Sequence, residues 1–117
     1  MELLWQQPEK LGRRENVRLP VIPPHCAQSY HLFYLLMPSL KDRQNLIERL
    51  KAKSILAVFH YLPLHRSPMG RKFGGRSGDC PVAEDISDRI LRLPFYNTLS
   101  RADQDKVIET IIGYKCV

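Results

Sequence analysis

Apolar residues fall along this chain in short blocks separated by proline and glycine, and the period inside each block predicts the element it forms. The run Tyr30–Met37 is almost wholly aromatic and aliphatic, short, and closed by Ser29 and Pro38, which predicts a buried strand and not a helix. Val17–Ile22 predicts a further short strand, confined to an edge by Pro20 and ended by Pro23 and Pro24. Ile55–Tyr61 predicts another, because Ile55 and Val58 are β-branched, Phe59 and Tyr61 are aromatic, and Pro63 stops it.

Between these blocks the spacing changes to that of a helix. Ser39 stands three residues before Asp42, the signature of a capping box, and Leu46, Ile47 and Leu50 make an apolar stripe, so a helix is predicted from about 40 to 53. Pro81 suits a first helical turn, and Val82, Ile86, Ile90 and Leu93 fall along one helical face until Pro94. Ser100 and Asp103 repeat the capping pattern ahead of Val107, Ile108, Ile111 and Ile112, and Gly113 marks the end. Residues 64–80 hold four of the six glycines and Pro68, which predicts a mobile loop with one helical turn near 69–73. Residues 1–16 show no sustained period and read as an irregular lead-in, a truncated remnant, ahead of a domain over 17–117. The sum is an α/β (α+β) fold: a small open sheet of two to four strands with helices mainly on one face, since amphipathic helices need a sheet to cover.

Composition narrows the class. At 117 residues, with 44% hydrophobic and 26% charged residues, the chain has ordinary globular make-up and enough length for one modest core. No stretch approaches the roughly 20 apolar residues of a membrane span, and the first residues lack the basic start of a signal peptide, so the expected location is the cytoplasm. Cys26, Cys80 and Cys116 are an odd number at wide spacing, which fits free thiols better than a disulfide framework or a metal clip. The net charge of +6 gathers at Arg13, Arg14 and Arg18 and again between Arg66 and Arg76, leaving room for an anionic partner.

The densest cluster of chemically able side chains is Phe59-His60-Tyr61-Leu62-Pro63-Leu64-His65, at the end of a predicted strand. Alternation sends His60 and Tyr61 to opposite faces, and Pro63 breaks the register so that His65 points elsewhere. One of the two histidines would then face a pocket, or else His60 is a satisfied half-buried residue and His65 a surface one. His25, Cys26, His60 and His65 lack zinc spacing. Cys26 beside His25 is a conceivable nucleophile, although adjacent side chains usually diverge and a proline-rich turn is the simpler account. Residues 70–78 could wrap phosphates with backbone amides and arginines, or form a solvated basic loop; they match neither a P-loop nor a dinucleotide fingerprint. Nucleic acid is an unlikely partner, because aromatic and basic residues do not interleave.

The string Ala57-Val58-Phe59-His60-Tyr61-Leu62-Pro63-Leu64-His65 followed by Ser67-Pro68-Met69-Gly70 resembles the carboxy-terminal signature of DegT/DnrJ-type nucleotide-sugar aminotransferases. Pro23-Pro24-His25-Cys26, His31–Leu36, Asp85–Pro94 and the Ser100–Ile112 helix are similar to the same family in order and spacing, over about 20–112. The resemblance implies the small carboxy-terminal domain of the aspartate-aminotransferase fold. In the family, pyridoxal phosphate is held by a lysine, an acid and a phosphate cup in the larger preceding domain. It implies a homodimer acting on a sugar nucleotide, with the amino group delivered to a dTDP-linked 4-keto-6-deoxy sugar for surface polysaccharide. Lys10, Lys41, Lys51, Lys53, Lys72, Lys106 and Lys115 do not match the family's lysine motif, so no catalytic or cofactor-binding residue is expected in this chain. On matching positions, His65 is the first candidate for a sugar contact, donating a hydrogen bond to a sugar oxygen, with Tyr61, His60 and His31 after it. The basic loop is expected to lie toward the diphosphate.

Overall fold

The computed structural model describes residues 17–27, 32–96 and 98–115. Two strands, β1 (Phe33–Leu36) and β2 (Ile90–Leu93), pair antiparallel, with Phe33 opposite Leu93 and Leu35 opposite Leu91. Alternation puts these four residues on one face, where all are buried. Isolated antiparallel bridges widen the sheet on both sides, Arg18 to Leu36 beyond β1 and Val58 to Arg92 beyond β2. The result is a four-segment open sheet whose middle two members are regular strands.

Two helices supply the other half of the core. Helix α1 (Leu40–Ala52) begins as its capping signature requires: the Ser39 side chain accepts the Asp42 N–H, which satisfies one of the donors that a first turn leaves unpaired. A short helix α2 (Pro68–Lys72) and a longer α3 (Pro81–Arg89) follow, and α4 (Arg101–Ile112) is capped by Ser100 accepting the Asp103 N–H. Leu46 and Leu50 of α1 and Val107, Ile108 and Ile111 of α4 close over Phe33, Leu35, Leu91 and Leu93. Each fully buried side chain of this size contributes on the order of 1.5–3 kcal/mol relative to exposure. Helix α1 is the central element, packing against α3, α4 and β2.

The opposite sheet face carries Tyr34, Leu36, Ile90 and Arg92, and continues toward Leu56 and Val58, of which Leu56 is strongly exposed. The mixed architecture, with a small open sheet covered on one side, agrees with the expected fold class.

Three elements depart from expectation. Val17–Ile22 and Ile55–Tyr61 contribute single bridges at Arg18 and Val58 instead of full strands. The predicted helix from Pro81 to Leu93 stops at Arg89, and Ile90–Leu93 is β2. Ile86, Ile90 and Leu93 satisfy a helical period, but Leu91 and Leu93 also alternate, and pairing with β1 decides between them. The switch is held at Arg89: its carbonyl accepts the Met37 N–H at 2.9 Å, and its Nε donates to the Met37 carbonyl at 2.8 Å. Of the strand predicted over Tyr30–Met37, Phe33–Leu36 is observed, and residues 28–31 lie outside the described part.

Candidate functional site

The candidate residues sit on the segment leaving the Val58 bridge and entering the glycine-rich loop. Pro63 ends the extended run, and Leu64–Arg66 form one 3₁₀ turn that runs almost directly into α2. Ser67 joins them. Its hydroxyl donates to the Leu64 carbonyl at 2.7 Å and accepts the Gly70 N–H at 3.0 Å, the N-cap role for α2. The Gly75 N–H then returns to the Gly70 carbonyl at 2.9 Å.

Close backbone approaches explain two of the glycines here. A Cβ at Gly70 would lie 1.9 Å from the Leu64 carbonyl oxygen, and one at Gly75 would lie 2.3 Å from the His65 carbonyl oxygen. The loop expected to be mobile is therefore wound tightly around the backbone of His65. Its helical turn, expected near 69–73, is α2.

His65 is only 12% exposed at its side chain, and its Nε2 lies 2.9 Å from Oε1 of Glu84 on α3. The same carboxylate oxygen accepts the Gly78 N–H at 2.8 Å. Glu84 thus ties the start of the loop and its far side to one helix. Its carboxyl is held below the ordinary glutamate range, first by the Gly78 N–H and then by His65, with the charge of Arg66 adding a smaller effect; desolvation opposes these.

His60 and Tyr61 form a separate pair. Their rings meet edge to face with centroids 4.5 Å apart, Tyr61 is 67% exposed, and His60 Nδ1 is buried without a hydrogen-bond partner. Among the described residues no hydrogen bond or ring contact joins this pair to His65. His31 lies outside the described residues. His25 and Cys26 fall at a turn closed by the Cys26 N–H and the Pro23 carbonyl, where Cys26 is exposed, as is Cys80. No group of His, Cys, Asp and Glu suited to a metal occurs among the described residues.

The phosphate-wrapping possibility for residues 70–78 loses most of its backbone half. The amides of Gly70, Gly74, Gly75, Arg76 and Gly78 are all spent inside the loop or on Asp79 and Glu84. The side chains of Arg71, Lys72 and Arg76 remain exposed as the anion-attracting groups. Sequence reasoning missed Glu84. Its signal was an acidic residue in the first turn of a helix that follows a glycine-rich loop, a common pattern with many outcomes.

Behind the site, Arg43 of α1 joins three elements. Its Nη1 donates to the Ser87 carbonyl of α3, and its guanidinium lies 5.6 Å from the Phe59 ring centroid. Burial lowers its proton affinity, while the charge of Asp88 acts the other way. A cleft of about 450 Å³ opens elsewhere between Ser54–Leu56, Tyr96, Asp103 and Lys106, and none of the candidate residues lines it.

The model of the DegT/DnrJ/EryC1/StrS aminotransferase family matches residues 5–112. The chain belongs to this family. An uncharacterized protein, MJ1066, of Methanocaldococcus jannaschii is 35% identical over 88% of this chain and 28% of that protein. The dTDP-3-amino-3,4,6-trideoxy-alpha-D-glucose transaminase of Micromonospora megalomicea is 31% identical over 82% of the chain and 25% of that enzyme. DesV of S. venezuelae, solved in complex with a ketimine intermediate, superposes with a TM-score of 0.84 at 28% identity over 94% of the chain and 29% of its own. The chain therefore spans between a quarter and three-tenths of the length of these DegT/DnrJ/EryC1/StrS relatives.

Aminotransferases of this family depend on pyridoxal phosphate, and a lysine that anchors it must be held in a dry, charge-tuned pocket to react as the free amine. Among the described residues of this family member, Lys41, Lys51, Lys53, Lys72, Lys106 and Lys115 are all exposed. Lys106 rims an open cleft beside Asp103. These side chains do not fit the cofactor's anchor. No described helix is long and apolar enough to cross a membrane.

Proposed function

We propose that residues 17–117 are the small carboxy-terminal domain of a pyridoxal-phosphate-dependent sugar-nucleotide aminotransferase, with residues 1–16 as its lead-in. The enzyme would convert a dTDP-linked 4-keto-6-deoxy sugar to the 4-amino sugar for surface polysaccharide. Its product would be dTDP-4-amino-4,6-dideoxygalactose, the precursor class of enterobacterial common antigen. In this reading the enzyme is a cytoplasmic homodimer, and the cofactor is held by a larger domain of the complete protein. The domain represented here contributes substrate contacts, and alone it does not transaminate.

The observation that carries this reading is the ordered placement of His65. Two close glycine approaches and a carboxylate hold it in the segment whose sequence resembles the family's signature. Tyr61, largely exposed, and His60, with an unpaired ring nitrogen, are the next contacts, and His31 is the weakest. In a full-length relative bearing the same motif, His65→Ala should lower kcat/KM for the sugar nucleotide by about tenfold or more, the scale of one lost hydrogen bond to substrate. Unchanged affinity and turnover would remove His65 from the site. The purified chain, given pyridoxal phosphate, an amino donor and the keto sugar, should form no amino sugar.

A further inference from the structure

An imidazole can meet a ligand as donor or acceptor, and the choice rests on which nitrogen holds the proton. At His65 the surroundings make that choice. Nε2 faces Glu84 Oε1 at 2.9 Å, and the same oxygen already accepts the Gly78 N–H at 2.8 Å. An oxygen that takes a backbone N–H and carries the carboxylate charge has no proton to give, so the proton between the two side chains belongs to Nε2. Nδ1 has no protein partner among the described residues. Turning the ring over would break the Nε2 contact with Glu84 in a side chain that is only 12% exposed.

We infer that Glu84 is a positioning residue for His65: it keeps the ring proton on Nε2 and leaves Nδ1 as the lone-pair nitrogen offered to a ligand. In its neutral form the ring is then a hydrogen-bond acceptor, suited to a hydroxyl of a sugar and unsuited to a phosphate oxygen. This reverses the direction expected from the sequence, in which the imidazole donated to a sugar oxygen. The choice of a sugar hydroxyl as partner rests on the function proposed above; the role of Glu84 does not.

The test is nuclear magnetic resonance on the full ¹⁵N-labelled chain with no sugar present, so failure of a sugar contact cannot alter its outcome. At about pH 8, above the ordinary histidine range, His65 should show a protonated Nε2, an unprotonated Nδ1, and a ring N–H that resists exchange with water. In Glu84→Ala that N–H should exchange about tenfold faster or more, reflecting a lost charge-assisted bond, and the Gly78 amide signal should move. Glu84→Gln should restore both, because the oxygen facing His65 must also face the Gly78 N–H, which keeps the amide oriented. If Glu84→Ala does not fold, the wild-type and Gln spectra decide. A proton on Nδ1 in the wild type, a switch to Nδ1 in the Gln variant, or unchanged exchange in a folded Ala variant would each overturn the assignment.

Discussion

Tyr114, just beyond the last helix, donates its hydroxyl to Asp42 Oδ1 over 2.8 Å, joining the end of α4 to the first turn of α1 across 72 positions of sequence. Asp42 is 2% exposed, and its other oxygen accepts the Ser39 hydroxyl at 3.0 Å. A carboxylate so buried is tolerable because donors surround it, and it also lies at the positive end of the α1 dipole. One local device, the helix cap, thus becomes a long-range tie between the two helices that cover the sheet.

Tyr114→Phe removes that donor and leaves the ring. The buried carboxylate loses one partner without gaining water, so the variant should be less stable by about 1–3 kcal/mol, read as a lower urea midpoint with an unchanged slope. Ser100→Ala, at the exposed cap of α4, should cost about 1 kcal/mol. If Tyr114→Phe matched wild type, the tie would be structurally present and energetically idle.

Gly70→Ala tests the winding of the loop. The added carbon meets the Leu64 carbonyl oxygen at 1.9 Å, and the obstacle is backbone, which cannot swing aside as a side-chain tip does. The 3₁₀ turn and α2 must separate, with a loss of about 1–3 kcal/mol by analogy with overpacking. The His65 Nε2–H should lose its protection at the same time. Met69→Ala, at a neighbouring exposed side chain, should stay within about 0.5 kcal/mol of wild type. A stable Gly70→Ala chain with an intact His65 signal would mean that the loop tolerates a different path.

What could be read from the chain alone follows the range of the forces involved. Ser39 with Asp42 and Ser100 with Asp103 announce α1 and α4 because a cap is completed within four residues. Ile90–Leu93 could not be separated from α3 in the same way, since its strand character comes from Phe33–Leu36, more than fifty positions away. The candidate site divides likewise. Its histidines were visible as residue types at a strand end, and the family resemblance ranked His65 first. Glu84 was not visible, because its meaning depends on the path by which residues 66–80 bring Gly78 and His65 to one oxygen.

Acid should undo that junction late. The Glu84 carboxyl is depressed by the Gly78 N–H, by His65 and by the nearby charge of Arg66, so proton binding is weaker in the folded chain than in the unfolded one. The stabilisation this provides is complete above the unfolded value of about 4.3, declines as pH falls toward the depressed folded value, and is gone below it. The Gly78 amide shift, which reports the state of the oxygen it faces, should therefore titrate with a midpoint below about 4.3. The stability difference between wild type and Glu84→Gln should hold above about 4.3, shrink as pH falls from there toward that midpoint, and be gone below it. A Gly78 titration at or above the ordinary glutamate value would show that the carboxylate gains nothing from its donors, and the loop would have to be held by its backbone bonds alone.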